Sequence, residues 1–228
     1  MGSPSSFCGV TLVDSPVVRL AFEFAKENLD EVSFRHVYRS WIFGAILASK
    51  IPAFAKINFE VHAISTLLHD LAWDHLSSFS TPDKRFEVDG ANAARKFLER
   101  EAPQFDNRQL QLVWDSIALH ATPSIAQHKE PEVALCTMGI TVDFLGSRFP
   151  GGLITDDEYN AVVKELPSVD FKESVKRKMC GLCANKPETT YDNFVRDFGE
   201  RFVVGYSARV INSVDILLGA DWRRGPVE

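Results

Sequence analysis

The sequence predicts an all-α protein, and two observations carry that prediction. Apolar residues recur at spacings of three and four through most of the chain, whereas the strict alternation of a half-buried strand is rare. Helix-breaking and capping residues divide the periodic stretches. Together they predict helices near residues 15–28, 33–50, 57–73, 84–101, 107–121, 131–147, 155–164, 170–183 and 190–217.

Turn and capping residues set the boundaries of the earlier helices. Pro52 follows the second helix, and Thr81-Pro82-Asp83 can cap the fourth. Pro103 closes the fourth helix before Asp106 or Asn107 caps the next one. These signals agree with the hydrophobic periodicity, so the two lines of reasoning predict the same elements.

Phe149-Pro150-Gly151-Gly152 is the strongest break in the chain. It is too short for a flexible interdomain linker, and amphipathic segments follow it, so we expect the C-terminal helices to pack on the others. With 228 residues, 45% of them hydrophobic, the chain is long enough for one sizeable core. We therefore predict one helical domain over residues 14–220, between an N-terminal tail, 1–13, and a C-terminal tail, 221–228.

Composition narrows the classes of partner. The net charge is −6, from 25 basic and 31 acidic residues, and no basic block occurs, which argues against a nucleic-acid partner. No charged-then-apolar leader and no apolar run of about 18 residues are present, so we expect a soluble cytoplasmic protein without a membrane partner. Four cysteines are too few for a disulfide scaffold, and the CxxC spacing of Cys180 and Cys183 lacks the context of a metal or redox motif.

Several helices show a clear inward face. Val61, Ile64, Leu68 and Leu71 form one apolar stripe in the predicted helix 57–73. His120 and Asp143 fall on the inward faces of later helices by the same spacing. The C-terminal helix carries aromatic residues at four-residue spacing, which we expect to close the core in preference to forming a homodimer: Phe194, Phe198, Phe202 and Tyr206.

The dipeptide His69-Asp70 is the most informative feature of the sequence. An adjacent imidazole and carboxylate at a helix end can bind one metal ion, and these ligands suit zinc, iron or manganese. Two ligands alone would bind weakly, so others are required. His36 and Asp143 each lie in an apolar, helix-patterned run. A carboxylate on an apolar stripe, such as that of Asp143, is costly to bury unless it is paired, and a metal ion would offset most of that cost.

The order His, His-Asp, Asp on successive helices resembles the HD-domain superfamily of metal-dependent hydrolases, and the surrounding residues most resemble its cyanamide hydratase-like branch. The matching stretches run across most of the chain: 36–41, 67–72, 85–87 before Asp89-Gly90, 117–120 and 186–190. The resemblance implies an HD-type helical bundle with additional C-terminal helices. It also implies that His36, His69, Asp70 and Asp143 are the metal ligands.

The chemistry that the resemblance implies is hydration of a small nitrile-like substrate, with cyanamide, which would give urea, as the first candidate. A divalent metal, zinc before iron or manganese, would lower the pKa of a bound water from about 15.7 toward about 7. His120 and Asp70 would then be catalytic residues, with Glu87 orienting a ligand or passing a proton. The residues expected to contact the substrate or shape its pocket are Arg39, Lys186, Thr189 and Thr190.

Other functions stay open on the sequence alone. The loop from Trp73 to Asp83 and the stretch from Ala121 to Pro131, both expected to overhang the metal, differ from close cyanamide hydratases, which leaves another nitrile-like or amidine-like substrate as an alternative. Phosphohydrolysis of a nucleotide or phosphate monoester would need cationic groups near the metal, for which Arg39 and Arg85 could serve. A diiron oxygenase would need two further histidines, of which only His120 is well placed. A non-catalytic regulatory module is the remaining alternative.

Overall fold

The computed structural model describes residues 5–207 and 217–218, and this part of the chain confirms the all-α prediction. Its helices are α1 Pro16–Asn28, α2 Glu31–Lys50, α3 Phe59–Leu68, α4 Phe86–Glu101, α5 Asn107–Leu119, α6 Pro123–Ala126, α7 Pro131–Leu145, α8 Asp156–Glu165, α9 Phe171–Asn185 and α10 Val195–Phe202. Two 3-10 helices span Pro52–Phe54 and Pro187–Thr189. None of the described helices is both long and apolar enough to cross a membrane.

A small hairpin occupies much of the segment that the sequence predicted to be an N-terminal tail, 1–13. Strands β1 Ser5–Phe7 and β2 Val10–Leu12 pair antiparallel. The side chain of Leu12 is buried, and the ring of Phe7 packs against that of Tyr38, with 5.3 Å between ring centroids. Strands of three residues are too short to produce a detectable alternation, so periodicity missed them. The predicted C-terminal tail, 221–228, lies outside the described residues.

Helix α2 forms the centre of the bundle, against which α3 and α7 pack. It begins at Asp30, whose side chain accepts a hydrogen bond from the Ser33 amide at 3.0 Å and so caps the helix. Both faces of its second half are buried, as expected of a helix that is apolar nearly all round. The helix therefore carries His36 into the interior and not to a surface.

Two glycines bring α2 and α7 unusually close together. A methyl group at Gly139 of α7 would lie 2.6 Å from the Ser40 carbonyl oxygen and 3.0 Å from the Gly44 backbone nitrogen of α2. Only a residue without a side chain fits between backbones at this distance. Gly139 lies one turn before Asp143, and Ser40 lies one turn after His36. The close crossing therefore sets the separation between Asp143 and His36.

Helix α3 is shorter than predicted, because the sequence pattern extended it over 57–73 and it ends at Leu68. Asn58 caps its start by accepting hydrogen bonds from the next turn. At its end the ring of His69 hydrogen-bonds to the Thr66 carbonyl oxygen at 2.8 Å. The Trp73 amide then donates to the Asp70 carbonyl at 3.3 Å, a three-residue spacing that belongs to a turn. His69 and Asp70 thus lie at a helix end.

The C-terminal helix is also shorter than predicted. The sequence predicted one helix over 190–217, whereas the described helix α10 covers only Val195–Phe202. Gly205 adopts a φ of 75° in the turn that follows, a left-handed conformation that favours glycine and ends the helical path. Residues 208–216 of the predicted helix lie outside the described residues.

The aromatic stripe of this region closes the core only in part, since Phe198 and Tyr206 are partly buried against an apolar cluster that includes residues of α9. Phe194 and Phe202 are 40% and 45% exposed, so the prediction was wrong for these two residues. The buried face of α10 consists instead of Val195 and Gly199. The ring of Tyr206 covers Gly199 so closely that a methyl group there would lie 2.6 Å from it. The packing of α10 therefore combines the buried Val195 and Gly199 with the partly buried rings of Phe198 and Tyr206.

The close crossing of α2 and α7 predicts whether Gly139→Ala stabilises or destabilises the protein. Because helix propensity favours alanine over glycine by about 1 kcal/mol, Gly139→Ala would be stabilising if the position had room. We expect the opposite, a loss of about 1–3 kcal/mol in the free energy of unfolding, because the methyl group meets backbone atoms that cannot move independently. Urea denaturation of the two proteins measures the difference, and a stabilised variant would contradict the close approach.

Candidate metal centre

Three side chains meet where α2 passes the end of α3: His36, His69 and Asp70, all buried. The Nε2 atoms of the two histidines are 3.2 Å apart. Asp70 Oδ2 lies 3.5 Å from His36 Nε2 and 3.2 Å from His69 Nε2. Three candidate ligand atoms therefore form a nearly equilateral triangle inside the protein.

This triangle has the dimensions that a first-row metal requires. With bonds of about 2.1 Å, two ligand atoms of a tetrahedral metal lie about 3.4 Å apart, close to the three separations between His36, His69 and Asp70. Imidazole nitrogen and carboxylate oxygen are ligands of zinc, iron and manganese alike. The donor set fits a divalent cation and does not by itself choose among these metals.

Hydrogen bonding leaves the three ligand atoms available. His36 Nδ1 lies 2.7 Å from Asp143 Oδ2, and His69 Nδ1 lies 2.8 Å from the Thr66 carbonyl oxygen, so in its neutral form each ring donates through Nδ1 and leaves Nε2 as the metal-binding atom. Asp70 Oδ2 is buried and has no hydrogen-bond partner among the described residues. A buried carboxylate oxygen without a donor is costly, and a cation at the centre of the triangle would satisfy it.

The charge state of Asp70 suits a metal ligand. Burial alone would raise the pKa of this carboxyl, but the neighbouring imidazoles of His69, His36 and His120 lower it to about 2. Burial lowers the pKa of His36, although Asp143 opposes the effect. Asp70 is therefore ionised and His36 neutral at pH 7, which are the forms that bind metal ions.

Asp143, predicted to be the fourth ligand, is not brought into the group. Its Oδ2 accepts the hydrogen bond from His36 Nδ1, and Arg39 donates to both of its oxygens, Nε to Oδ1 at 2.6 Å and Nη2 to Oδ2 at 2.7 Å. Burial would raise the pKa of Asp143, yet these two partners keep it below its usual value. Asp143 therefore orients His36 from behind, as outer carboxylates do in many metal sites.

Arg39, predicted to contact the substrate, is instead fully buried behind His36. Besides its paired hydrogen bonds to Asp143, its Nη1 donates to the carbonyl oxygens of Leu166 and Pro167 at 3.2 and 3.3 Å. The guanidinium thus joins α2, α7 and the segment between α8 and α9. Its role in the structure is to hold Asp143 in place.

A third histidine, His120, lies close to Asp70 on the side of its other carboxylate oxygen, Oδ1. Its Nδ1 lies 2.7 Å from the Ile117 carbonyl oxygen, so its Nε2 carries a free lone pair, 3.8 Å from Asp70 Oδ1. Burial, followed by the proximity of His69, lowers the pKa of His120 to about 3, which makes the ring neutral at pH 7. A neutral imidazole at this place can accept a proton or act as a further metal ligand.

Glu87, predicted to be catalytic, lies elsewhere. Its carboxylate is fully buried and accepts a hydrogen bond from Arg85 Nη2 at 2.6 Å. Burial raises its pKa, and the Arg85 guanidinium opposes that effect. Glu87 has no described contact with His36, His69 or Asp70, so it does not orient these residues directly.

The other predicted substrate residues belong to a structural clamp. Lys186 donates through Nζ to Asp89 Oδ2 at 3.0 Å and to the Thr81 carbonyl oxygen at 2.8 Å. Thr189 donates to the Lys186 carbonyl oxygen, and Thr190 to the carbonyl oxygen three residues before it. These contacts tie the chain after α9 to the start of α4. None of these side chains lines the cavity beside the candidate metal group of His36, His69 and Asp70.

A cavity of about 530 Å³ opens from the metal group, and His120 lines it together with the three candidate ligands. Of the two loops expected to overhang the metal, Trp73 contributes from the first, and Ala121 and Pro123 from the second. The sequence pattern did not identify most of the apolar wall. Its residues come from α4, α7, α9 and α10: Phe86, Ile140, Phe144, Val175, Met179 and Phe198.

No second metal group accompanies the first in the part of the chain that the structure describes. His36, His69 and Asp70 are the only cluster of histidine, cysteine or acidic residues there whose ligand atoms converge. Residues 180 and 183, the CxxC cysteines, do not form such a group. The geometry therefore favours one metal ion over the diiron alternative.

Zinc binding by two variants tests whether Asp143 orients His36 or binds the metal directly. Removing a direct ligand, as in Asp70→Ala, should abolish specific metal binding. Removing an orienting carboxylate, as in Asp143→Asn, should weaken zinc binding by only about 10–100-fold. Competition with a calibrated zinc chelator measures both affinities, and circular dichroism checks that each variant is folded. Complete loss of binding in Asp143→Asn would contradict the orienting role.

No protein-family model matches the chain, and no curated protein matches it either. The resemblance to the HD-domain superfamily therefore stays a prediction, and the candidate centre is defined by its own atoms: two imidazole nitrogens and one carboxylate oxygen, buried at the base of a cavity.

Proposed function

We propose that this protein is a metal-dependent hydratase that adds water across the carbon–nitrogen triple bond of a small nitrile-like molecule, with the conversion of cyanamide to urea as the reference reaction. The observation that supports it is the convergence of His36, His69 and Asp70 beside a neutral His120 at the base of a cavity. A divalent metal ion, with zinc as the first candidate, would be the cofactor.

His36, His69 and Asp70 would hold the metal, which when bound supplies Lewis acidity and makes water acidic enough to react near neutral pH. The hydrogen bonds of the two rings fix Nε2 as the ligand atom of each histidine. Asp143 fixes the orientation of His36, and Arg39 fixes Asp143. The chain therefore provides a rigid, pre-oriented set of ligands.

The proposed reaction needs no redox partner. The oxygen of water bonds to the nitrile carbon, and the two protons of that water finish on the former nitrile nitrogen, so that a nitrile gives an amide and cyanamide gives urea. His120 Nε2 is free and unprotonated, so it can accept a proton from the attacking water and return it to the nitrogen. Such general acid–base catalysis contributes about 10²–10⁴-fold to a rate.

The polarity of the cavity supports an uncharged substrate over a phosphate ester. No lysine or arginine lines it among the residues that the structure describes. Arg39 is committed to Asp143, and Arg85 is committed to Glu87. Transfer of a phosphoryl group requires cationic partners for its negative charge. The phosphohydrolase alternative therefore has less support from the described side chains.

A purely regulatory module has less support for a different reason. Such a module would gain nothing from leaving Asp70 Oδ2 buried without a hydrogen-bond donor. An uncompensated buried carboxylate costs several kcal/mol, and replacement by an apolar residue would remove that cost. Retention of the charge is what a bound cation requires.

The proposed reaction is tested directly with purified, zinc-loaded protein. We expect urea from cyanamide, no urea from the Asp70→Ala variant, and no phosphate from a generic phosphomonoester. Urea is measured by a coupled ammonia assay and phosphate by colorimetry. Phosphate release without urea would contradict the proposal and place the chain among phosphohydrolases.

The role of His120 has its own test. His120→Ala should lower kcat for cyanamide by about 10²–10⁴-fold, because the variant lacks the proposed proton carrier beside the three candidate metal ligands. His128→Ala is the matched control, since His128 is exposed and does not line the cavity. Zinc content is measured on both variants. Loss of zinc from His120→Ala would show that the ring is a ligand and not a proton carrier.

A further inference from the structure

We propose that the substrate of this site carries an aryl or branched alkyl group on its reacting carbon or on the atom next to it, as in a substituted cyanamide or an aromatic nitrile, and that Val175 helps to select it. The reaction assigned to such a molecule rests on the proposed hydratase function. The class of ligand, a neutral molecule with an apolar body, rests on the cavity alone.

The size of the cavity is the first reason. Its volume is about 530 Å³. That value lies within the range of about 300–1,000 Å³ found for pockets that bind small organic ligands. Cyanamide takes up little more space than one or two water molecules, each of which occupies about 30 Å³ in the liquid. Cyanamide alone would leave most of the cavity to water.

The chemistry of the wall is the second reason. Beyond the metal group and His120, the described lining residues are apolar except for Thr141, whose hydroxyl donates to the Thr137 carbonyl oxygen at 2.7 Å. The indole nitrogen of Trp73 also has a partner, since it donates to Ser33 Oγ at 3.2 Å. Water in this cavity would lose hydrogen bonds, whereas an apolar group would gain contacts.

The rim of the cavity is the third reason. Phe144, Leu145 and Phe194 line the cavity and are also substantially exposed, with Leu145 at 62%. Apolar side chains gathered at the edge of a functional cavity are typical of binding grooves for apolar ligands. A molecule approaching the metal group therefore meets apolar surface both outside and inside the opening.

Val175 of α9 is the residue best suited to test this inference. It is buried, lines the cavity and has no polar atom in its side chain. It belongs neither to the candidate metal ligands nor to the residues that orient them. A larger side chain at this position would reduce the room for an apolar substituent while leaving the ligand atoms in place.

The experiment compares phenylcyanamide, cyanamide and the charged 4-cyanobenzoate by isothermal titration calorimetry, with zinc-loaded and with chelator-treated protein. Burying a phenyl group strengthens binding by about 10–100-fold, so phenylcyanamide should bind at least about tenfold more tightly than cyanamide in both metal states. In chelator-treated protein, 4-cyanobenzoate should bind at least about tenfold more weakly than phenylcyanamide, because no lysine or arginine among the described lining residues would pair with its carboxylate. Val175→Phe should weaken phenylcyanamide binding by about tenfold or more. Val169→Phe, on an exposed valine outside the cavity, is the matched control and should leave it unchanged.

A second variant guards against misfolding of the first. Val175→Ala enlarges the cavity and should improve the binding of naphthylcyanamide relative to phenylcyanamide. Equal binding of cyanamide and phenylcyanamide, or binding that neither Val175 variant changes, would overturn the inference. Tight, Val175-dependent binding of phenylcyanamide without formation of phenylurea would support this ligand class and contradict the hydratase function, so the two failures are distinguishable.

Discussion

The buried carboxylate of Asp70 is the constraint on which the rest of the site depends. It is 2% exposed, and one of its oxygens has no donor among the described residues, although burying an unpaired charge costs several kcal/mol. Two imidazole nitrogens face the same oxygen within 3.5 Å, and because each ring can donate through Nδ1, its neutral form has a lone pair on Nε2. Three lone pairs directed at one point repel each other unless a cation lies between them. A cation bound at this point would therefore add to the stability of the folded state.

This arrangement comes from the packing of core helices and not from a mobile loop. The absence of a side chain at Gly139 lets α7 approach α2, and that approach brings Asp143 within hydrogen-bond distance of His36. Arg39 then fixes Asp143 through two hydrogen bonds and joins it to the segment before α9. Arg39 restricts the orientation of Asp143, and Asp143 restricts that of His36. Sites built in this way are pre-oriented, so little reorganisation is needed when a ligand binds.

The sequence predicted the parts of the site that depend on helix periodicity and missed those that depend on packing between helices. Inward spacing identified the helices of His36, His69 and Asp70, and these residues do meet. The same spacing predicted that Asp143 faces inward. It could not distinguish a carboxylate that binds a metal from one that accepts a hydrogen bond from His36 Nδ1, because either role requires the same inward face of α7. Glu87 and the residues of the Lys186 clamp were assigned by resemblance, and hydrogen bonds give them other partners. Glu87 pairs with Arg85, two residues before it, whereas Lys186 reaches Asp89 in a distant segment that no local pattern indicates.

The cavity is built from both sides of the break at 149–152, and its polar groups come from one side only. The candidate ligands and His120 precede the break at 149–152, whereas Val175, Met179 and Phe198 follow it and contribute only apolar surface. The polar end can therefore stay unchanged while the later helices alter which substituent fits. Periodicity could not reveal this division, since a residue that lines a cavity and one that fills a core have the same spacing on a helix. It follows from the packing of α9, which lies within two residues of its predicted bounds, and of α10, which is much shorter than predicted, beside the metal group. The proposed ligand class therefore depends on how these two helices pack and not on where they begin and end.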